Sequence, residues 1–452
     1  MPYSSFRAHR ILFLALPVAA LASLPACFFG IGGGDGDGDD GGTEFPIPEI
    51  PDVCEGFAAQ DVTSPTAAIT GADCNEDAIR AAVEAGGTVL VQCPDAPVVF
   101  SSQMVVTRDT VLDGGGVTVL DGGGSTRLLF KRTGVTLHVQ NITLQNARAP
   151  EALGDETVTQ ANWFDWAGGA ILTQCHDDTQ SVGGALYGKN LTCRDNATGS
   201  STRDPQTGQI LDTGTGGCVY SFTCTFHCDE CELVDNHATN GGAIGTLGGK
   251  IQLTNSTCVG NEARYDASTN DNRGFGGCHY QDGTETAPGE GETNYVNMCG
   301  NYFADNHADE SGGAVSLYYR QYTNTSIAFV HDVFEANSGG EAGGLYQGGG
   351  GIYVYVDPDT KISWAPDVGP DQLVVSGNTF VENSAEYIGG GAAIYNIWQT
   401  AVRFDNNVFV GNEVRTTDQS TGGGGGLGLV GAYFDLEHNT FVRNRAGNWS
   451  GG

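Results

Sequence analysis

The chain has 452 residues, 69 of them glycine, and a formal charge of −34 from 54 acidic and 20 basic side chains. Ordinary globular domains carry about 7% glycine, so the excess points to tight bends or tether. So few basic residues cannot form a stripe that neutralises phosphates, which excludes nucleic acid as a partner and disfavours anionic membrane surfaces. An acidic exterior attracts calcium weakly at most, and no cofactor or specific metal site is expected.

Arg7 and Arg10 precede an apolar run from Ile11 to Leu24, followed by Pro25-Ala26-Cys27. This reads as a signal peptide over residues 1–26, with an apolar stretch too short to span a bilayer comfortably. LPAC resembles the bacterial lipobox, which implies cleavage before Cys27 and lipid attachment to its sulfur. The expected location is the bacterial cell envelope, at the outer membrane, with the lipid as the only membrane contact. The alternative is an ordinary secretory signal whose cysteine enters a disulfide. Parity favours the lipid, because 13 cysteines less Cys27 leave 12, an even set for pairing in an oxidising compartment.

Residues 27–52 read as a tether, since GGGDGDGDDGG cannot pack and the stretch after it is rich in proline. Asp35, Asp37 and Asp39 imitate the start of an EF-hand loop, but its twelfth position is Pro46, so the site is rejected. Residues 53–95 read as an N-terminal cap, with a short helix from Glu76 to Ala85 capped by Asn75 and ended by Gly86-Gly87. A helix there covers the open end of a stack of strands. The helix-glycine-strand opening resembles pectin-lyase-like β-helices. Val135, Leu137 and Val139 alternate with Thr136 and His138, so His138 should point outward or into a polar stack.

From residue 96 to 452 the chain repeats itself. An aromatic residue or Cys, two residues and an Asn are followed by Gly-Gly and a small or branched apolar residue. FADN (303–306) with GGAV (312–315) is the clearest copy. The recurring asparagines are Asn196, Asn236, Asn261, Asn306, Asn337, Asn383, Asn412 and Asn444, spaced 25 to 46 residues apart. Such a period means stacked units. Each copy carries short β-prone runs and almost no helical periodicity, so the expected fold is all-β: a right-handed single-stranded parallel β-helix with a short N-terminal capping helix. Phe or Cys should stack inward, Asn should form a ladder at the next bend, and the glycines should supply a bend that Cβ atoms obstruct. Roughly ten coils at about 4.8 Å each give a rod on the order of 50 Å long.

FxxN paired with GGA[ILV] resembles the repeats of the chlamydial polymorphic outer membrane proteins, over about residues 165–452. The resemblance implies a β-helical surface region of the kind that acts in adhesion. That family continues into a C-terminal membrane barrel, whereas no alternating barrel segments follow here, so autotransport is not implied.

Residues 147–166 and 197–215 are polar without a β pattern and read as loops. Cys218, Cys224, Cys228 and Cys231 with His227 approach zinc-site spacing. In an exported chain disulfides are the better reading, some of them linking adjacent coils. Their pairing is not readable from sequence.

Many β-helices cleave acidic polysaccharides. His176 with Asp177-Asp178 is the one place in the coil region where two aspartates adjoin, and these three are the catalytic suspects if the chain is a lyase or glycoside hydrolase. No Gly-His-Gly or Arg-Ile-Lys accompanies them. The favoured reading is therefore binding without catalysis. In GIYVYV, Ile352, Val354 and Val356 share one side and Tyr353 and Tyr355 the other. Repetition would build a stripe from Tyr319, Tyr353, Tyr355 and Tyr395 for a glycan or surface protein. The alternatives are an aromatic stack inside the coil and a purely structural envelope rod. No capping segment follows HNTFVRNRAGNWSGG, so an uncapped edge and self-association are expected there.

Overall fold

This computed structural model describes residues 49, 51–149, 166–176, 183–199, 202–203, 210–211, 214–264, 274–283, 294–320, 325–340, 348–357, 372–395, 401–416, 423–431 and 434–447. The chain winds through three parallel sheets, a parallel β-helix. One sheet has ten strands, from Met104–Val106 to Leu427–Val430. A second has 20 strands and a third, of two-residue strands, has six. From Val219 to Val414 each coil passes in order through the ten-stranded sheet, the large sheet and the small one. The coil carrying FADN shows the plan: His279–Asp282, then Asn294–Cys299, then Tyr302–Ala304, then His307–Ala308. Among the described residues the one departure from parallel pairing is Thr202–Arg203 against Ile210–Leu211, an antiparallel pair inside a stretch that shows no β pattern in sequence.

The first coil is closed by the helix Glu76–Ala85. Asn75 accepts from the Ala78 N–H, and Ile79 and Val83 are its buried members. A strand the sequence did not signal, Ala67–Thr70, pairs with Val89–Gln92 beside it.

The Gly-Gly pair is required by close approach. At Gly312 (φ +70°) a Cβ would fall 2.3 Å from the Val315 carbonyl oxygen, and at Gly313 it would fall 2.2 Å from that of Gly350. One inward column runs Leu144, Cys193, Leu233, Cys258, Phe303, Phe334, Phe380, Phe409, Phe441. Its five phenylalanines stack nearly parallel, with centroids 4.6–4.9 Å apart. That is the spacing of successive coils. In the last described coil Phe441 and Leu436 are each 46% exposed.

Two polar ladders run beside this core. In the first, each amide Nδ2 donates to the Oδ1 of the next Asn, from Asn196 through Asn236, Asn261, Asn306, Asn337, Asn383 and Asn412 to Asn444, at 2.9–3.0 Å. The same Nδ2 donates back to a carbonyl of the preceding coil, as Asn383 does to Phe334, and the next coil's Oδ1 also takes a backbone N–H. The asparagines thus bury an amide with its hydrogen bonds made. The residue before each Asn is left-handed: Asp195, Asp235 and Asp305 lie at φ +53 to +55°. Asp tolerates that conformation better than most residues, which explains the acid beside the ladder.

The second ladder, Ser256, Asn301, Asp332, Asn378, Asn407 and Asn439, lies at the bend inside the large sheet. Sequence reading missed it, although Asn or Asp two positions before the Phe recurs in GNYF, HDVF, GNTF, NNVF and HNTF.

Candidate functional site

Six disulfides pair every cysteine after Cys27. Among them Cys175–Cys224 joins neighbouring coils, while Cys193–Cys218 and Cys258–Cys278 link the inward column to the following Gly-Gly strand. Cys218, Cys224, Cys228 and Cys231 are all consumed this way, so the near-zinc spacing is a disulfide pattern.

Cys54–Cys299 has a different role. It starts a strap that runs lengthwise over the outer face of the large sheet, back toward the cap. Glu55 O accepts from Gln252 Nε2, the Phe57 N–H donates to Asp229 Oδ2, and Gln60 exchanges two hydrogen bonds with Gln140. Gly56 crosses directly above Asp229, where a Cβ would sit 2.3 Å from the carboxylate. Burial raises the Asp229 pKa, but hydrogen bonds from Lys189, Asn255 and Thr254 outweigh it and hold the carboxyl below its ordinary range. Phe57 packs edge-on against Tyr187, which in turn stacks on His138 at 4.7 Å. His138 therefore faces outward, and burial lowers its pKa. His227, beneath the same strap, is lowered to about 4 by burial, with Lys250 adding to the effect. A shallow pocket remains beside the strap, lined by Asp52, Val53, Glu55, Gly56, Gln252 and Asn297. The residues at the start of the expected cap thus lie along coils much later in sequence.

The ten-stranded sheet separates the aromatic residues by face. Ile352 and Val354 pair with Val315 and Leu317 and lie in the main core. Tyr353 pairs with Ser316 and Ala393, and Tyr355 with Tyr318 and Tyr395, on the opposite face. Tyr318 and Tyr355 stack at 5.0 Å, and Tyr353 meets Tyr395 at 5.7 Å. Toward the cap the same face carries Tyr220, Leu172 and Phe130, which form a cluster of their own. Tyr353 is buried, which raises its hydroxyl pKa well above the ordinary value, with Tyr395, Tyr355 and Glu310 adding to it. Tyr318, Tyr355 and Tyr395 are half-buried. Tyr319 pairs with Val356, in the phase of the aliphatic residues, so Tyr318 takes the stripe position expected of Tyr319. The doublet Tyr318-Tyr319 offered two registers, and only pairing chose between them.

Compared with protein-family models, with curated proteins and with solved structures, the chain matches none.

Of the catalytic suspects, only His176 lies among the described residues. His176 packs edge-on against Phe222 at 6.4 Å, and Asp177 and Asp178 lie outside the described residues, as does Cys27. Asp405, Glu437 and His438 bring three potential metal ligands together, but Arg403 lies 3.3 Å from Asp405 and 3.7 Å from Glu437, so a cation is already present.

Proposed function

We propose that this chain is a cell-envelope β-helix, lipid-anchored through Cys27, which binds a glycan or a surface protein through the tyrosine face of its ten-stranded sheet. The observation that carries the reading is the Tyr318–Tyr355 stack beside the Tyr353–Tyr395 pair, on the side of the sheet turned away from the core. Rings held at coil spacing offer flat apolar surface at low entropic cost, with hydroxyls at the rim for hydrogen bonding. The segments before and after these strands hold the longer insertions of the repeat, so both borders of the face can vary without disturbing the coil. FxxN and GGA[ILV] support kinship with the chlamydial repeat type, and LPAC supports export to the outer membrane.

The test is binding on an array of acidic and neutral glycans and to host-type surface proteins. Tyr355→Ala and Tyr395→Ala should each weaken binding about tenfold, the equivalent of about 1.4 kcal/mol per stacked ring. Binding that survives both changes would remove the tyrosine face from the reading. Product release from acidic polysaccharides with calcium present would favour the lyase alternative instead.

A further inference from the structure

The outer face of the small sheet carries a hydrogen-bonded relay. His307 Nδ1 lies 2.8 Å from Ser338 Oγ, and its Nε2 lies 2.8 Å from Asp309 Oδ1. Three features give the relay direction. An ionised carboxylate can only accept, so Nε2 carries the ring proton and Nδ1 is the acceptor for the Ser338 hydroxyl. Arg264 donates to Asp309 Oδ1 at 3.3 Å, which sets a positive charge beside the carboxylate. His307 and Ser338 are register partners on adjacent coils, so their separation is fixed by the stacking itself. Ser338 is half-buried, open to a small reactant. Arg415 places Nη2 3.0 Å from the Gly339 carbonyl oxygen, one residue beyond Ser338.

We propose that Ser338, His307 and Asp309 form a serine-hydrolase relay acting on small acyl esters. This goes beyond the binding role of the tyrosine face and does not depend on it. Ser338 Oγ attacks the ester carbonyl carbon while its proton passes to His307 Nδ1. The carbon–alkoxide bond then breaks, and the proton goes to the leaving alcohol. Water, deprotonated by the same nitrogen, attacks the acyl-serine, releases the carboxylic acid and restores Ser338. Asp309 holds the imidazole in the tautomer that makes Nδ1 the base. The ring nitrogens serve in the opposite sense from those of the serine proteases, where Nε2 faces the serine. The roles require only that one nitrogen meet each partner.

The experiment treats the full chain with a fluorophosphonate probe and, separately, with p-nitrophenyl acetate. Mass spectrometry of the labelled protein should place the probe on the peptide containing Ser338. Ser338→Ala should abolish labelling and lower acetate release by about 1,000-fold, and Asp309→Asn should lower it by at least about 100-fold. Ser384→Ala, at the register partner on the next coil, should leave both readouts unchanged. Circular dichroism and thermal unfolding of each variant distinguish lost chemistry from lost fold. A folded wild-type chain that takes no label, or one labelled equally in Ser338→Ala, overturns the proposal and leaves the relay as cross-strand hydrogen bonding.

Discussion

From Ile171 to Cys299 the coil interior mixes aliphatic side chains with cysteines and small polar residues and is crossed by disulfides. From Phe303 to Phe441 the same inward column is a stack of rings. The change is visible in two columns at once. Cys193, Leu233 and Cys258 give way to Phe303 and its successors. On the ten-stranded sheet, Lys131, Thr173, Ser221, Thr246 and Gln281 give way to Leu317 and Val354. Lys131 in that polar column is buried, which lowers its pKa to about 8 against the pull of Asp109, and its Nζ donates to the Gln174 carbonyl. The backbone plan does not change across the boundary. A coil with a cysteine or leucine in place of a stacked ring buries less apolar area and gains less from it, at about 25 cal/mol per Å². In the first half, cross-links that restrict the unfolded chain offset that deficit. The second half has no disulfide among its described residues beyond Cys299 and relies on ring stacking.

Phe380→Ala should strike hardest, because Phe380 is fully buried between Phe334 and Phe409. The expected cost is about 3–5 kcal/mol. Nearest-neighbour coupling in a solenoid confines the damage. Amide exchange should rise across coils 330–445 while the disulfide-linked coils keep their protection. Uniform loss of protection would show that the two halves are one cooperative unit.

Cys54→Ser with Cys299→Ser should cost about 2–4 kcal/mol and release the strap. Limited proteolysis should then cut between residues 53 and 62, and exchange should rise at Asp229 and Gln140 but not in the phenylalanine stack. Protection of the strap in the double variant would mean that its hydrogen bonds suffice without the cross-link.

The smallest effect sharpens the comparison from within the stacked half. Asp332 stands where the second ladder otherwise has Asn. Its Oδ1 accepts from Asn301, but Oδ2, in the position of an amide donor, is buried without a partner. Burial raises its pKa from 3.8 to about 8, against the lowering effect of the Asn301 hydrogen bonds. The folded state therefore holds a proton that the unfolded chain releases above its ordinary value. The resulting stability is complete below about pH 4 and is lost as pH rises toward about 8. Asp332→Asn should add about 1–3 kcal/mol at pH 8 and close to nothing at pH 4, read as the difference between two urea titrations. An equal shift at both pH values would show that Asp332 does not titrate in this range.

Much of this was legible because each coil repeats its local chemistry. FxxN announced an inward ring and a polar corner, and GGA[ILV] announced a bend no Cβ allows. Asn75 and Gly86 bounded the helix Glu76–Ala85. The second ladder was equally periodic but stood in front of the Phe, where an Asn looks like an ordinary turn residue. The tyrosine doublet was ambiguous by one position, and a one-residue slip turns a side chain to the other face.

The amino-acid sequence alone determined the coil, because its period, its glycines and its asparagines are local requirements met within a few residues. Contacts between distant coils decided the rest. The strap joins Cys54 to a cysteine 245 positions away, the tyrosine face depends on register between strands, and the Ser338–His307–Asp309 relay exists only when one coil rests on the next. Spacing along the chain cannot encode these, since what brings the residues together is the stacking of turns whose lengths vary.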